Sequence, residues 1–489
     1  MKLFLLLLIA ATARAQYDLH MAYGRSTMVH LFEWSWSAIA NECENFLAPY
    51  GFGGVQVSPP QEHLAMSGTW WDRYQPVSYQ INSRGGDENA FRDMVRRCNN
   101  VGVRIYVDAV VNHMAAGGTV GSAGSSYDAG NYDFPAVPYS SWDFNVPNNR
   151  CPNPNGGIDN YGYPDEVRNC NLVGLTDLWM EKEYVRGKIA DYMNNLISMG
   201  VAGFRVDAVK HMWPGDLDNI VNRLNDLDSS VFGSGKRPFI VQEVIDYGGE
   251  PISSRDYTYI GRVTEFKYSK ELGSAVFGNN ALKWLTNFGE GWGFMDRYHA
   301  LVFVDNHDNQ RDHFGIATYK NSKEYKIAST FMLAYDYGVT RLMSSFAFSD
   351  RDQGAPGNDP YFDSTYGACS SSSGWVCEHR WREIRNMVEF RNTCEGQGVN
   401  NWWDNGNNQI AFSRGNQGFI AINGDSYALS EWMYTGMSSG NYCDVISGSK
   451  SGSSCTGNTI NVDSNGMASI YIDNANNSPI VAIHANSKI

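Results

Sequence analysis

Asp207, Glu243 and Asp308 share a setting. Each closes an apolar, β-branched run (GFRVD, FIVQE and ALVFVDNHD), where an ionised side chain is costly unless it pairs or does chemistry. Arg205 lies two residues before Asp207, with Lys210 and His211 just beyond. Two carboxyl groups can break a glycosidic bond, one attacking or stabilising the oxocarbenium-like carbon and the other protonating the leaving oxygen. A third can hold hydroxyls and raise the acid's pKa by like-charge repulsion. Peptide hydrolysis through an aspartic dyad is the competing use, but the Asp-Thr/Ser-Gly surroundings of such a dyad are absent. One carboxylate at a strand end is as readily a turn or cap. Three from separate runs at one level are much harder to explain that way.

Eight runs are positioned to carry such residues: 26–32, 53–60, 103–113, 203–211, 237–245, 261–266, 300–308 and 339–345. Most are separated by stretches of helical periodicity, such as 89–102 and 182–200, the latter ending in a glycine suited to a helix C-terminus. Strand and helix in alternation, with nearly continuous apolar strands, predict an α/β fold, a (β/α)8 TIM barrel. His30, Gln56, Asp108, Asn112, His113, Asn306 and His307 join the three acids late in their runs, where the mouth of such a barrel lies. Between His113 and Asp177 the chain is rich in Gly, Ser, Asn, Tyr and Pro, which predicts an inserted loop domain after strand 3. Past about Asn400, short alternating runs predict a C-terminal all-β domain of Greek-key type. The expected division is a leader over 1–15, a barrel over 16–112 and 178–397, an insert over 113–177 and a β-domain over 398–489.

The opening MKLFLLLLIAATARA reads as a secretory signal peptide, and its removal, with Lys2 and Arg14, takes the formal charge from −14 to −16. No later stretch approaches the roughly 20 apolar residues of a membrane helix. A secreted, soluble, strongly acidic chain is a poor fit to nucleic acid or an anionic membrane. Nine cysteines in an oxidising compartment imply disulfides with one thiol left over. Asn476-Asn477-Ser478 is a glycosylation sequon, weakened by Pro479.

DAVVNH (108–113), GFRVDAVKH (203–211), QEVI (242–245) and FVDNHD (303–308) resemble the four sequence blocks of the α-amylase family of glycoside hydrolases. VHLFEW (29–34), GFGGVQVSPP (51–60), WWDRYQPVSY (70–79) and WVCEHRWREIRNMVEFRN (375–392) resemble its animal-type members, over essentially the whole mature chain. The resemblance implies a secreted, extracellular, endo-acting 4-α-D-glucan glucanohydrolase. It would act on starch, glycogen and maltooligosaccharides as a monomer open to protein inhibitors. A maltose-forming or transglycosylating relative, and a catalytically inactive binding protein, are the alternatives; the intact acidic trio speaks against the second.

Carried over by position, Asp207 is the nucleophile, Glu243 the acid and then base, and Asp308 the group that holds the distorted sugar. Retention then requires the carboxyl groups of Asp207 and Glu243 about 5–5.5 Å apart. Trp70, Trp71 and Tyr74 match an aromatic platform, His113 and His307 contacts at the cleavage point, and Lys210, His211 and Ile245 the leaving-group side. His313 matches a substrate contact, although the glycine-rich segment that vertebrate members carry there is missing. Calcium, which wants six to eight oxygens, is implied at Asn112, Arg168, Asp177 and His211, with Arg168 and His211 acting through backbone carbonyls. Chloride is implied at Arg205, Asn306 and Arg341, where it would favour protonated Glu243; a plain salt bridge from Arg205 to a carboxylate is the alternative. The implied disulfides are Cys43–Cys98, Cys151–Cys170, Cys369–Cys377 and Cys443–Cys455, with Cys394 the odd thiol; Ala115 stands where vertebrate members have a further cysteine.

Overall fold

The computed structural model describes residues 16–65, 67–312, 315–362 and 367–489; the signal-peptide reading of 1–15 and the contact read at His313 lie outside them. Eight parallel strands close a barrel: β1 (Thr27–Leu31), β2 (Gly54–Val57), β3 (Arg104–Ala109), β4 (Gly203–Val206), β5 (Phe239–Gln242), β6 (Arg262–Thr264), β7 (Ala300–Val302) and β8 (Val339–Ser344). Each pairs with its neighbours in sequence, and β8 returns to β1. The strands are apolar without alternation because most of their residues are buried, enclosed by the helices that follow them.

The helices begin and end where local chemistry allows. Asp87 caps Glu88–Asn100 by accepting the Ala90 N–H at 2.9 Å. Helix Glu183–Ser198 ends before Gly200, whose φ of +97° is the left-handed value that lets the chain leave a helix. Gly203 opens β4 for a different reason. A Cβ there would stand 2.2 Å from the Phe239 carbonyl oxygen of β5, so only glycine permits the approach of the two strands that carry Asp207 and Glu243.

Between β3 and the Glu183–Ser198 helix the chain makes one six-residue helix, Pro164–Asn169, several 3-10 turns and a two-residue ribbon in which His113 pairs with Asp177. That ribbon ties the far end of the insert to the barrel rim. Beyond residue 398 lie β9 (Val399–Asp404), β10 (Gln409–Arg414), β11 (Gly418–Asn423), β12 (Leu429–Tyr434), β13 (Gly440–Cys443), β14 (Thr459–Val462), β15 (Met467–Ile472) and β16 (Ile480–His484). They form antiparallel sheets, β9-β10-β11-β16 together with the ribbons β12-β15 and β13-β14. The late return of β16 to β11 encloses an apolar core that includes Phe419, Ile470 and Ile483.

Cysteines 43 and 98, 151 and 170, 369 and 377, and 443 and 455 are bonded. Cys394 is a free thiol, fully buried and pushed up to about 12 by its burial. No helix among the described residues is long and apolar enough to cross a membrane.

Candidate active site

Asp207 and Glu243 each stand one residue past the end of a strand, β4 and β5, at the C-terminal face where the loops of such a barrel converge. Arg205, inside β4 and 2% exposed, joins them. Its Nη1 lies 2.5 Å from carboxylate oxygens of both Asp108 and Asp207, and its Nη2 pairs with Glu243. Asp108 sits opposite Arg205 in the register of β3 and β4, so pairing across the sheet sets this contact. One guanidinium thus gathers three carboxylates from three strands. A buried ion cluster persists only when its members are paired and hydrogen-bonded, and this one is. The Tyr74 hydroxyl donates to the other oxygen of Asp108 at 2.8 Å.

The backbone contributes as well. Directly after Asp207, Ala208 takes a φ of +52°, the left-handed region that a side-chain-bearing residue rarely visits. The turn it makes aims its N–H at Glu243 Oε2, 3.0 Å away. Burial pushes the Asp207 carboxyl well above its usual range, while Arg205 pulls it back down. Asp308 completes the trio at a turn six residues past β7, held by its N–H to Asn306 Oδ1 at 3.1 Å. Burial, and then the charge of Glu243, push its carboxyl up to about 7, although 32% of its side chain opens to the cleft.

An aromatic wall stands beside the acids. Tyr74 stacks on His307 at 5.1 Å between centroids, and Trp70 meets both edge-on at 5.8 and 5.5 Å. Trp71 shares their 3-10 helix, Trp70–Tyr74, and is half-buried. His307 Nε2 lies 3.2 Å from the Asp308 carboxylate, and burial holds the His307 ring well below its ordinary pKa. His113 is lowered to about 4 by burial; its Nε2 donates to the Tyr74 carbonyl at 3.0 Å, and Asn112 reaches its Nδ1 at 3.3 Å. Lys210 donates to the Ile245 carbonyl at 2.9 Å and pairs with Glu250, which draws Lys210 and Ile245 together on the side of the acid.

The residues read as calcium ligands gather at the corner where the insert meets the barrel. Asp177 is 1% exposed and accepts from Asn145 Nδ2 at 2.6 Å and Asn112 Nδ2 at 3.3 Å, but no cation pairs with it among the described residues. Burial therefore holds its carboxyl well above the usual range. A small cavity beside it is lined by Asn112, Arg168 and His211. The Arg168 guanidinium points away, over the Trp213 ring at 4.7 Å and onto the Tyr257 hydroxyl at 3.0 Å. The His211 ring is committed through Nδ1 to the Val167 carbonyl at 2.9 Å. Among the described residues no three His, Cys, Asp or Glu side chains converge as a metal cluster. The set at this corner has only Asp177 and His211 of those types, and it fits a hard cation bound by carboxylate, amide and backbone oxygens. A buried carboxylate lacking a cation is the sign of that fit.

Arg341 presents the opposite imbalance. It is 4% exposed on β8, has no carboxylate partner among the described residues, donates to Gln56 Oε1 at 2.8 Å and lies over the Phe303 ring at 4.7 Å. Burial, and then the nearby charge of Arg205, lower it to about 10. Gln56 Nε2 is buried without an acceptor, and Asn306 spends its Oδ1 on two backbone N–H groups, which leaves its amide nitrogen as a donor. An unpaired buried guanidinium flanked by amide donors fits a small anion. Arg205, by contrast, takes the carboxylate pairing that was the alternative at the sequence level.

Asp108, Gln56 and the Ala208 N–H are the members of the site that reading the sequence did not assign. Asp108 had a signal, since opposite charges on adjacent strand runs can pair, and Gln56 stood in the list of strand-end polar residues. Ala208 had none.

Comparison with known proteins bears on the same region. Residues 47–237 match the family described as alpha amylase, catalytic domain, and residues 400–486 that described as alpha amylase, C-terminal all-beta domain. The chain is similar to an alpha-amylase of Oryzias latipes and to the pancreatic alpha-amylase of Sus scrofa, each 53% identical over all of both chains. Among solved structures it is similar to wild-type alpha-amylase I of Eisenia fetida, at 47% identity and a TM-score of 0.90 over 95% of this chain and 98% of that one. A variant of the same earthworm protein, crystallised with maltohexaose, matches with a TM-score of 0.89 at the same identity and coverage.

Proposed function

This chain belongs to the α-amylase family of glycoside hydrolases, and from that premise we propose that it hydrolyses internal α-1,4-glucosidic bonds of starch, glycogen and maltooligosaccharides with retention of configuration. Asp207 attacks the anomeric carbon and forms a covalent glycosyl-enzyme. Glu243 gives its proton to the departing glycosidic oxygen, then takes one from the water that cleaves the intermediate. Asp308 holds the hydroxyls of the distorted sugar while His307 orients it. Tyr74 and Trp70 offer ring faces to the sugar, with Trp71 on the same short helix; His113 reads hydroxyls, and Lys210, His211 and Ile245 border the leaving-group side.

The observation that carries this reading is the single guanidinium holding Asp207 and Glu243 on its two terminal nitrogens. Carboxylates so held are a close pair. The retaining reading expects their carboxyl groups about 5–5.5 Å apart. The maltohexaose bound to the earthworm relative supports a chain of glucose units as the substrate.

Asn112 and Asp177 side chains, with the carbonyls of Arg168 and His211, would hold calcium, and the ion would supply the positive charge that Asp177 lacks. Arg205, Arg341 and Asn306 would hold chloride. When bound, chloride would draw on the guanidinium that pairs with Glu243 and leave that acid freer to carry its proton. Four disulfides support an extracellular location. Clearing of iodine-stained starch tests the proposal. Glu243→Gln is expected to lower kcat by about 10²–10⁴-fold with its circular dichroism unchanged. A wild-type protein that leaves starch intact with both ions supplied would end the reading.

A further inference from the structure

The ribbon of β12 and β15 in the C-terminal domain has two unlike faces. Leu429, Met433, Ala468, Ile470 and Ile472 turn inward and are buried. On the other face Trp432, Tyr434 and Tyr471 are 59%, 51% and 64% exposed. Their placement follows from the register. Tyr471 lies opposite Ser430 and Trp432 opposite Ser469, so the two rings are diagonal neighbours, and Tyr434 stands two residues along from Trp432. Diagonal positions on an antiparallel pair are about 7–8 Å apart, within reach of one another for aromatic side chains. Alternate positions on one strand are about 6.8 Å apart. Three large exposed rings therefore share the outward face of the ribbon.

Such a patch costs solubility unless something docks on it, and its chemistry narrows what that is. The outward positions are Ser430, Trp432, Tyr434, Met467, Ser469 and Tyr471, none of them charged, and neither strand contains Lys or Arg. Nothing here can meet an anionic partner, and a second copy would bring another chain of formal charge −14 against this one. What fits is a neutral ligand with flat apolar faces and hydroxyl edges, matched by rings interleaved with serine hydroxyls. We propose that this face is a binding site for α-glucan polymer, separate from the barrel mouth. The proposal rests on the reading of the chain as a glucan hydrolase, whose polymeric substrate it would hold at raised local concentration.

Binding to granular starch, in a Glu243→Gln background that leaves the granules uneroded, tests the site. Replacing Trp432, Tyr434 and Tyr471 together with Ser is expected to raise the apparent Kd about tenfold, equivalent to about 1.4 kcal/mol. Trp432→Ser alone, an exposed change that keeps the fold, is expected to give the larger part of that loss. With Glu243 intact, the triple variant is expected to keep kcat/KM on soluble maltopentaose within about twofold of wild type. Unchanged granule affinity overturns the proposal. So does a shift from dimer to monomer in sedimentation without loss of starch binding, which would make the face a contact between copies. If maltopentaose survives the wild-type enzyme while granule binding still depends on the three rings, the hydrolase reading falls and this site stands.

Discussion

Two buried regions of this molecule hold carboxylates, and they neutralise them differently. At the strand ends, Arg205 meets Asp108, Asp207 and Glu243, so the acids are folded together with their own counter-charge. At the corner where the insert joins the barrel, Asp177 has two amide donors and no cation among the described residues. The first region has its cation within the polypeptide. In the second, Asp177 has no counter-charge from the polypeptide among the described residues, and Arg341 mirrors it as a buried guanidinium with no carboxylate partner among them. Charge left without an opposite partner is thus confined to particular corners of a site whose central cluster holds its own cation.

Breaking the self-sufficient cluster should cost the most. Arg205→Met leaves three carboxylates buried without a cation, and is expected to lower unfolding free energy by about 3–5 kcal/mol in urea titrations, with or without added ions. Equal stability of this variant and wild type would show that the acids do not depend on Arg205. The corner should respond only to its ion. Chelation is expected to remove the increment that a ligand at about 100 times its Kd provides, about 2.7 kcal/mol, and so to lower the Tm of wild type. Asp177→Asn should show no such drop in calorimetry, since its carboxylate is already gone. Arg341→Gln is expected to make kcat insensitive to chloride while the Tm stays within a few degrees of wild type; retention of the full chloride response would place the anion elsewhere.

A further test concerns acid strength. Asp308 is pushed up to about 7 in the folded chain against 3.8 in the unfolded one. Between those values the folded state holds a proton that the unfolded state has lost, so stability falls as pH rises through that window. Asp308→Asn should flatten this part of the Tm–pH profile, measured with chelator present. A profile of unchanged slope would mean that Asp308 ionises at its ordinary value.

The barrel was legible because its strands are long apolar runs spaced by periodic helices, and the acids were legible because each ended such a run. The insert's one short helix, Pro164–Asn169, was hidden in a stretch too polar and too brief to show a period. The roles at the site needed the family resemblance, since spacing alone cannot say which of ten strand-end polar groups point inward. Asp108 illustrates the limit. It reads as one more strand-end carboxylate until register places it across from Arg205. The left-handed backbone at Ala208 could not be read at all, because alanine has no preference for it and surrounding structure imposes it. The aromatic face on β12 and β15 looked like ordinary alternation, since exposure, not residue type, sets it apart.

The pairing of Thr27–Leu31 with Thr340–Ser344 carries a consequence for biosynthesis. Synthesis runs from the N-terminus, so the first stave waits for nearly the whole barrel before its partner leaves the ribosome. Arg341 arrives with that last stave, and only its docking turns an open, curling sheet into a walled cleft. A polypeptide that ends before Val339 therefore lacks the stave that closes the barrel, and its acids stand on an open sheet.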